Sequence, residues 1–298
     1  MTQTTKDRML HITLADGMVR GLVLDAKNTV SRAELIHSTS PVATAALGRA
    51  LMGTAMLAAT LKDEHASVTV TIDGGGPLGK LLCVADGNGG VRGTLDNPAL
   101  NLPLRADGKL DVGSAVGRDG RMSVVKELGL KSPYIGQVPL LSGEIAEDFA
   151  GYYAQSEQTP SLQALGVLVD KTGVLSAGGV LLQTLPGCTN EVVSQLELRS
   201  PLFGDVSRQM KGEPLEELIQ GWFRGLNPVV LAETPLCYRC DCSRKRMEKV
   251  LLALGREELS RMIEDEIDGA ELNCHFCNRR EKFSQQDLLR LLNEATQK

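Results

Sequence analysis

The sequence has few aromatic residues, no excess of positive charge and no internal repeat. Phenylalanine, tryptophan and tyrosine make up 3% of its 298 residues, with a single tryptophan at position 222. The 32 lysines and arginines are outnumbered by 37 aspartates and glutamates, so no overall positive field exists to attract nucleic acid or an anionic membrane. An apolar fraction of 42% still provides the core of one large or two ordinary globular domains.

Signals for export and membrane insertion are also scarce. The first ten residues, MTQTTKDRML, lack the apolar segment of a secretion signal, so we expect a cytoplasmic protein. The stretch from Pro41 to Leu61 is long enough to span a bilayer, but it is rich in alanine and contains Arg49 near its centre. A central arginine costs about 2.5 to 3.5 kcal/mol on insertion scales. This stretch is therefore predicted to be a buried helix of a soluble core.

Residues 1–180 have the pattern of a mixed α+β core domain with an antiparallel-rich sheet. Ser67 to Ile72 alternates apolar and polar residues, as a half-buried antiparallel strand does. Lys80 to Ala85 is predicted to pair with it across a glycine-rich turn. The apolar runs at residues 166–169 and 179–182 are predicted to be central strands near the end of this domain.

Residues 181–231 are predicted to form a helical linker, and residues 232–298 a small C-terminal domain. Linker helices are expected over Glu191–Leu198 and Pro214–Leu226, the second with proline at its first position. The apolar residues of the second helix fall on one face, which needs cover because so short a helix is marginal alone. They are Leu215, Leu218, Ile219, Trp222 and Phe223. Pro228 and Pro235 mark the expected boundary, and further helices are expected from Ser243, Glu257 and Ser284.

Four of the seven cysteines form two close pairs in the C-terminal domain. One residue separates Cys240 from Cys242, and two separate Cys274 from Cys277. Two such pairs can surround one tetrahedral cation, and soft thiolates favour zinc or an iron–sulfur cluster. The same spacing permits two local disulfides. Four thiolates would complete the coordination shell of zinc, which is typical of structural sites and argues against a zinc hydrolase or deaminase.

A redox switch is favoured over a purely structural zinc ribbon. A charged domain of this size has little core, so a bound metal would supply most of its folding free energy, about 10–16 kcal/mol. A disulfide between Cys240 and Cys242 would close a very small ring, and strained disulfides are the reversible ones. Cys237 is interpreted as a bystander, with a spare ligand or an alternative disulfide partner as the other possibilities. Cys83 and Cys188 are predicted to be small buried side chains.

Two other functions are weaker alternatives. The segment from Gly74 to Lys80 approaches the spacing of a phosphate-binding loop. However, Leu81 stands where a hydroxyl should reach magnesium, Pro77 lacks an N–H group, and a strand is predicted to follow, so a hairpin turn that binds no nucleotide is expected. A nucleic-acid adaptor is disfavoured because residues 232–298 contain 12 basic and 13 acidic side chains.

Nearly end to end, the chain resembles the redox-regulated chaperone family named for the 33 kDa heat-shock protein. The resemblance rests on the two cysteine pairs together with several motifs of the first 160 residues. These motifs are ALGRA at 46–50, GGGPLG at 74–79, VKELG at 125–129, GQV at 136–138, SGEIAEDF at 142–149 and SEQTP at 156–160.

The resemblance implies an ATP-independent holdase, not an enzyme, that is inactive while reduced and bound to one zinc ion per chain through Cys240, Cys242, Cys274 and Cys277. It further implies that oxidation pairs Cys240 with Cys242 and Cys274 with Cys277, releases zinc, and unfolds the C-terminal domain and linker. The protein would then form a homodimer and protect unfolding client proteins from aggregation under oxidative stress. The apolar linker face is a hypothetical client-binding surface.

The sequence departs from the family pattern at two positions. Cys237 is an additional thiol, which puts the fidelity of disulfide pairing in question. Glu281 stands where an aromatic side chain is expected behind the second cysteine pair, which bears on the stability of the domain. Neither departure removes one of the four implied ligands.

Overall fold

The computed structural model describes residues 6–61, 63, 66–265 and 269–296. The chain divides into two compact units, Met1–Arg239 and Cys240–Lys298. The second unit thus begins later than the C-terminal domain predicted from residue 232. The reason is that residues 229–235 form a strand of the first unit, although the prolines on either side suggested a boundary. The predicted end of the core domain at residue 180 also falls within a strand.

The first unit contains a five-stranded antiparallel sheet. In order across the sheet, its strands are β10 (Val229–Pro235), β1 (Arg8–Leu14), β2 (Val19–Asp25), β9 (Gly173–Thr184) and β8 (Ser161–Asp170). The prediction of a central strand is correct for β9, which pairs on both sides. It is wrong for β8, which forms one edge of this sheet. Continuous apolar runs do not distinguish the two positions, because the covered faces of an edge strand are apolar as well.

A second sheet of six strands lies in the same unit. Across this sheet the order is β11 (Cys237–Tyr238), β5 (Gly90–Leu95), β4 (Leu81–Asp86), β3 (Ser67–Asp73), β6 (Arg121–Glu127) and β7 (Tyr134–Pro139). The predicted pairing of β3 with β4 is confirmed, and Val68, Val70 and Ile72 are buried on one face of β3.

The glycine-rich segment between β3 and β4 is a hairpin connection, as predicted, and leads directly into a strand. Its glycines are required by close backbone contacts. A Cβ atom on Gly74 would lie 2.5 Å from the carbonyl oxygen of Val116, and one on Gly76 would lie 2.4 Å from that of Ala115. These distances are too short for any side chain.

Four helices accompany the sheets, namely α1 (Lys27–His37), α2 (Pro41–Ala59), α3 (Val112–Val116) and α4 (Ala146–Gln155). Helix α2 packs against strands of both sheets within one hydrophobic cluster. It is long and apolar enough to cross a membrane, but 89% of its most apolar window is buried inside the protein. The prediction of a buried core helix is therefore confirmed.

Two of the family motifs are explained by polar contacts of partly or fully buried side chains. Arg49, in the motif at residues 46–50, forms a 2.7 Å ion pair with Glu144. Asp148 is fully buried and accepts backbone N–H bonds from Leu141 at 2.7 Å and Ile145 at 2.9 Å, among others. Charge-assisted bonds of this kind hold the turn before α4 in one conformation.

The segment between β9 and β10, which includes the two predicted linker helices, is helical and packs on the five-stranded sheet. It contains α5 (Asn190–Arg199), a 3-10 turn (Ser200–Asp205), α6 (Val206–Gln209) and α7 (Leu215–Trp222). Helix α7 is shorter than predicted. Pro214 precedes the helix as its N-cap, and the positive φ angles of Gly225 and Asn227 prevent helical continuation.

The described residues of the second unit, 240–265 and 269–296, form three helices and a hairpin: α8 (Arg244–Ala253), α9 (Arg256–Asp265), β12 (Ala270–Asn273), β13 (Arg280–Phe283) and α10 (Gln285–Thr296). The predicted cap of α8 is confirmed, because Ser243 Oγ accepts the N–H of Arg246 at 3.3 Å. The buried side chains of its described core are Met247, Leu251, Leu259, Ala270, Phe283, Leu288 and Leu291. So small a core gives little independent stability.

Candidate metal centre

The four paired cysteines meet at one place in the second unit. Cys240 and Cys242 lie in the irregular segment before α8, and Cys274 and Cys277 lie in the turn between β12 and β13. The turn is shaped by backbone bonds, with the N–H of Cys274 donating to Arg279 O at 2.9 Å and that of Asn278 to Cys274 O at 2.8 Å. Asn278 adopts a φ of 56°, which asparagine tolerates well.

The sulfur atoms are spaced as ligands of a single metal ion. All four Sγ atoms lie within 4.8 Å of one another. A tetrahedral ion with metal–sulfur bonds of about 2.3 Å would separate its ligand sulfurs by roughly 3.8 Å. The observed distances of 3.7 Å between Cys240 and Cys274 and 3.2 Å between Cys242 and Cys277 fit such a group. The four cysteines could therefore hold a metal ion.

The seven cysteines are free thiols in this structure. The two distances above join thiols from different pairs. Distance alone therefore does not favour disulfides within the Cys240–Cys242 and Cys274–Cys277 pairs. Any of these four thiols is close enough to another for disulfide formation after small local movement.

Burial disfavours the thiolate forms of Cys240 and Cys242 unless a cation is bound. Desolvation raises the pKa of Cys240 to about 11 and raises the pKa of Cys242 as well. For Cys274, burial acts in the same direction, but the backbone N–H groups of Phe276 and Cys277 outweigh it and lower the pKa. Crowded thiols of this kind ionise when a cation compensates the negative charge, so metal binding would release protons.

The metal centre and the small core support each other. Cys242 and Cys274 pack against the hydrophobic cluster of the second unit. Glu281, where an aromatic residue was expected, instead pairs with Arg279 at 2.5 Å. Arg244 places its guanidinium 4.4 Å from the centre of the Phe283 ring and pairs with Asp287. Ion pairs and a cation–π contact thus stabilise β13, the strand that follows the second cysteine pair.

The remaining thiols lie outside the group of four. Cys237 is exposed on β11, in the first unit, which agrees with its interpretation as a bystander of the metal centre. Cys83 is buried on β4, as predicted, and burial raises its pKa to about 12. The prediction for Cys188 is wrong, because its side chain is only half-buried, in the turn before α5.

The apolar face of the linker helix α7 is covered by the sheet. Leu215, Ile219, Trp222 and Phe223 are buried, and Leu218 is half-buried against the same cluster. Their partners include Leu10, Ile12, Leu14, Val180 and Leu182 of the five-stranded sheet. The indole N–H of Trp222 donates to Gln209 Oε1 at 2.6 Å.

Sequence reasoning missed two residues that hold the linker in place. Phe203, in the 3-10 turn, packs edge-on against Trp222 with ring centres 5.5 Å apart. Arg8, on β1, bonds to Glu216 of α7 at 2.8 Å and to Glu233 of β10 at 2.9 Å. A single arginine thus connects the linker and the last strand of the sheet to β1. No local pattern marks such a role, because its partners lie more than 200 residues away.

Comparisons with known proteins agree with these features. The profile of the Hsp33 protein family matches residues 7–284. The 33 kDa chaperonin of Acetivibrio thermocellus is 42% identical over 289 residues, which cover 96% of this chain and 97% of that protein. The 33 kDa chaperonin of Clostridioides difficile is 39% identical over 290 residues, which cover 97% and 99%.

A crystal structure of the 33 kDa chaperonin of Thermotoga maritima has the same fold, with a TM-score of 0.90 at 34% sequence identity. The match covers 99% of this chain and 100% of the other. The α+β class, the covered linker and the four-cysteine group therefore occur in a chain that belongs to the Hsp33 family of chaperones.

Proposed function

We propose that this protein is an ATP-independent holdase that oxidation switches on. In the reduced state one zinc ion would be held by Cys240, Cys242, Cys274 and Cys277 and would keep the second unit folded. The observation that carries the proposal is the convergence of four free thiols on the edge of a very small core. A reducing compartment such as the cytoplasm would preserve this state, because thiols persist there.

Oxidation would remove the ligands and thereby the ion. Two molecules of hydrogen peroxide would accept four electrons from the four cysteine thiolates, giving two disulfides and four hydroxide ions, and a zinc ion held by these thiolates would lose its ligands. Zinc itself undergoes no redox change. We propose the pairing that the family resemblance implies, Cys240 with Cys242 and Cys274 with Cys277. Peptide mass spectrometry after oxidation tests it, and Cys237 in a disulfide would contradict it.

Loss of the ion would unfold the second unit and destabilise the linker. Metal binding at such sites contributes about 10–16 kcal/mol, far more than a core of this size provides. A released linker would expose the apolar face of α7, and each fully buried Leu, Ile or Phe side chain contributes about 1.5–3 kcal/mol when covered. Apolar segments of unfolding proteins could then replace the sheet as cover.

The proposed partners follow from this chemistry. The active form would bind unfolding client proteins and, by the family resemblance, would be a homodimer. Binding would depend on apolar contact, with no nucleotide, nucleic acid or membrane involved and no catalytic turnover. The balance of 32 basic and 37 acidic residues agrees with partners recognised by apolar surface instead of by phosphate charge.

The proposed function is tested by measuring aggregation of a thermally unfolding client protein with reduced and with peroxide-treated chain. We expect suppression only after oxidation, reversal by a thiol reductant, and no change on adding ATP. Equal suppression by both forms, or dependence on ATP, would exclude the proposed mechanism.

The client-binding role of the α7 face is tested by a double substitution, Leu218→Gln with Trp222→Gln. We expect the oxidised variant to suppress aggregation several-fold less well than the oxidised parent, because two apolar contacts are replaced by amides that must remain hydrated. Gln220→Ala, on the exposed side of the same helix, is the matched control. Unchanged oxidised activity of the double variant would exclude this face.

A further inference from the structure

The edge strand β10 is held to the sheet by its backbone pairing with β1 and, near its C-terminal end, by side-chain bonds of Arg8 with Glu233 and of His11 with Thr234, both 2.9 Å long. Val229, Val230 and Leu231 are 50%, 42% and 67% exposed. Ala232 and Glu233 are exposed as well, so neither face of the strand is buried in a core. An exposed apolar edge strand of this kind is unusual, because it invites pairing with other chains.

Strand β1, the neighbour of β10 in the sheet, is in contrast firmly packed. Strand β1 places Met9 in one hydrophobic cluster of the first unit and Leu10, Ile12 and Leu14 in another. All four are at most 1% exposed. Its other neighbour, β2, pairs with it along seven residues without interruption. Strand β1 is therefore a fixed part of the sheet whose outer edge does not depend on β10 for its shape.

The pairing of β10 with β1 is interrupted. Thr13 pairs with Val229 and Ile12 with Val230, but the register then shifts, so that His11 pairs with Ala232. Leu231 is left as the extra residue of a bulge, which locally disrupts the hydrogen-bond ladder. The end of β10 that carries the apolar residues is thus joined to β1 by a short, separate piece of ladder.

The two ends of β10 are held differently. Its C-terminal end is followed by Leu236, which is buried, and by Tyr238, whose hydroxyl donates to Gly93 O at 2.9 Å. Its N-terminal end follows α7 and the adjacent Leu226, whose carbonyl accepts the N–H of Ala15 at 2.6 Å. Arg8 joins Glu216 of α7 to Glu233, which lies nearer the C-terminal end of β10. If the linker is released, the bond at Leu226 and the Arg8–Glu216 contact are lost, so β10 can separate from its N-terminal end while β11 stays in place.

We infer that the outer edge of β1 is a client-binding site that accepts an extended segment as an additional strand. The occupant would be an apolar segment, rich in β-branched residues, of an unfolding protein. The evidence for this chemistry is the segment that occupies the edge in the reduced chain, Val-Val-Leu-Ala-Glu-Thr-Pro. Main-chain bonds supply affinity in this mode of recognition and tolerate many sequences, as a holdase requires.

The inference rests on the proposed function and adds to it a second surface with a different kind of contact. The α7 face would capture clients through apolar side chains, whereas the β1 edge would capture them through backbone N–H and C=O groups. Ile12 and Leu14, which α7 covers in the reduced state within the same cluster, lie beside this edge. A bound strand could therefore place alternate side chains against them.

Hydrogen–deuterium exchange of the full chain tests the inference directly. In an antiparallel strand, alternate residues bond to opposite neighbours. The amides of β1 that face β10 should exchange roughly tenfold faster after oxidation, and addition of an unfolding client should restore their protection. The amides that face β2, and those of β9, serve as internal controls and should change little. Persistent protection of the β10-facing amides after oxidation, or no recovery with client, would overturn the inference.

A pair of peptides distinguishes backbone pairing from side-chain capture. The peptide VVLAETP, identical to residues 229–235, should compete with client for the oxidised chain. Its counterpart with alternate N-methylated residues has the same side chains but cannot complete the ladder, and it should not compete. Equal competition by both peptides would overturn the inference.

Three further outcomes separate failure of the inference from failure of the proposed function. Recovery of protection without client, in proportion to chain concentration, would assign the edge to a second copy of this chain and overturn the inference. If the oxidised chain does not suppress aggregation at all, the proposed function fails and the inference falls with it. If suppression is normal but the exchange of β1 is unchanged, only the inference fails.

Discussion

The variant Cys277→Ala is expected to lose its zinc and to leave residues 240–296 unfolded in the reduced protein. One of the four proposed ligands is removed, so a zinc ion bound by the other three thiolates would have an open, hydrated position and would be held more weakly. Metal binding contributes about 10–16 kcal/mol to folding at such sites. Even a partial loss of this free energy is more than a core of seven buried side chains can offset. Zinc content and amide exchange of the second unit measure the outcome.

Cys237→Ser is the matched control for this variant. Its thiol is exposed on β11 and lies outside the four-thiol group, so zinc content and protection of the second unit should equal those of the parent. A Cys277→Ala protein that retained one zinc per chain, or stayed folded without it, would contradict a metal-dependent second unit. Chelation of the parent protein should reproduce the variant.

Ile219→Ala is expected to activate the protein without an oxidant. Ile219 is fully buried at the centre of the α7 face, and truncation of a buried isoleucine costs about 2–5 kcal/mol. The loss acts on the contact between a short helix and the sheet, while the zinc ligands lie outside it. We expect aggregation suppression by the reduced, zinc-containing variant, because the linker separates from the sheet more often.

Gln220→Ala controls for the substitution itself, since the neighbouring side chain is exposed. It should leave the reduced protein inactive. Zinc content separates the two ways in which Ile219→Ala could act. If the variant is active and keeps its zinc, the packing of the linker on the sheet is what keeps the reduced protein inactive. A variant that is destabilised by the expected amount yet inactive until oxidised would contradict it.

Local patterns in the sequence were sufficient to predict several elements. The alternation of Val68, Val70 and Ile72 specifies a strand with one buried face, and the structure confirms it. The short spacing within each cysteine pair already places two thiols close together, because residues two or three positions apart in the chain cannot be far apart in space. Capping of α8 by Ser243 is likewise a property of a few neighbouring residues.

Features that depend on distant contacts were not predicted. Pro228 and Pro235 suggested a domain boundary, whereas the residues between them form an edge strand. Proline is tolerated there because one side of an edge strand has no partner in the sheet. The sequence predicted that the apolar face of α7 packs against another element, but it did not identify the residues of the sheet that form this contact. Arg8 and its partners were missed for the same reason.

The proposed switch couples metal binding by the four thiols to the packing of the linker on the sheet. It is tested most directly by titrating the reduced protein with peroxide and measuring zinc content, far-UV circular dichroism and aggregation suppression on the same samples. We predict that release of zinc, loss of helical signal and gain of suppression follow one common curve. Full oxidation of the four thiols with zinc, helicity and client protection all at their initial values would contradict the account.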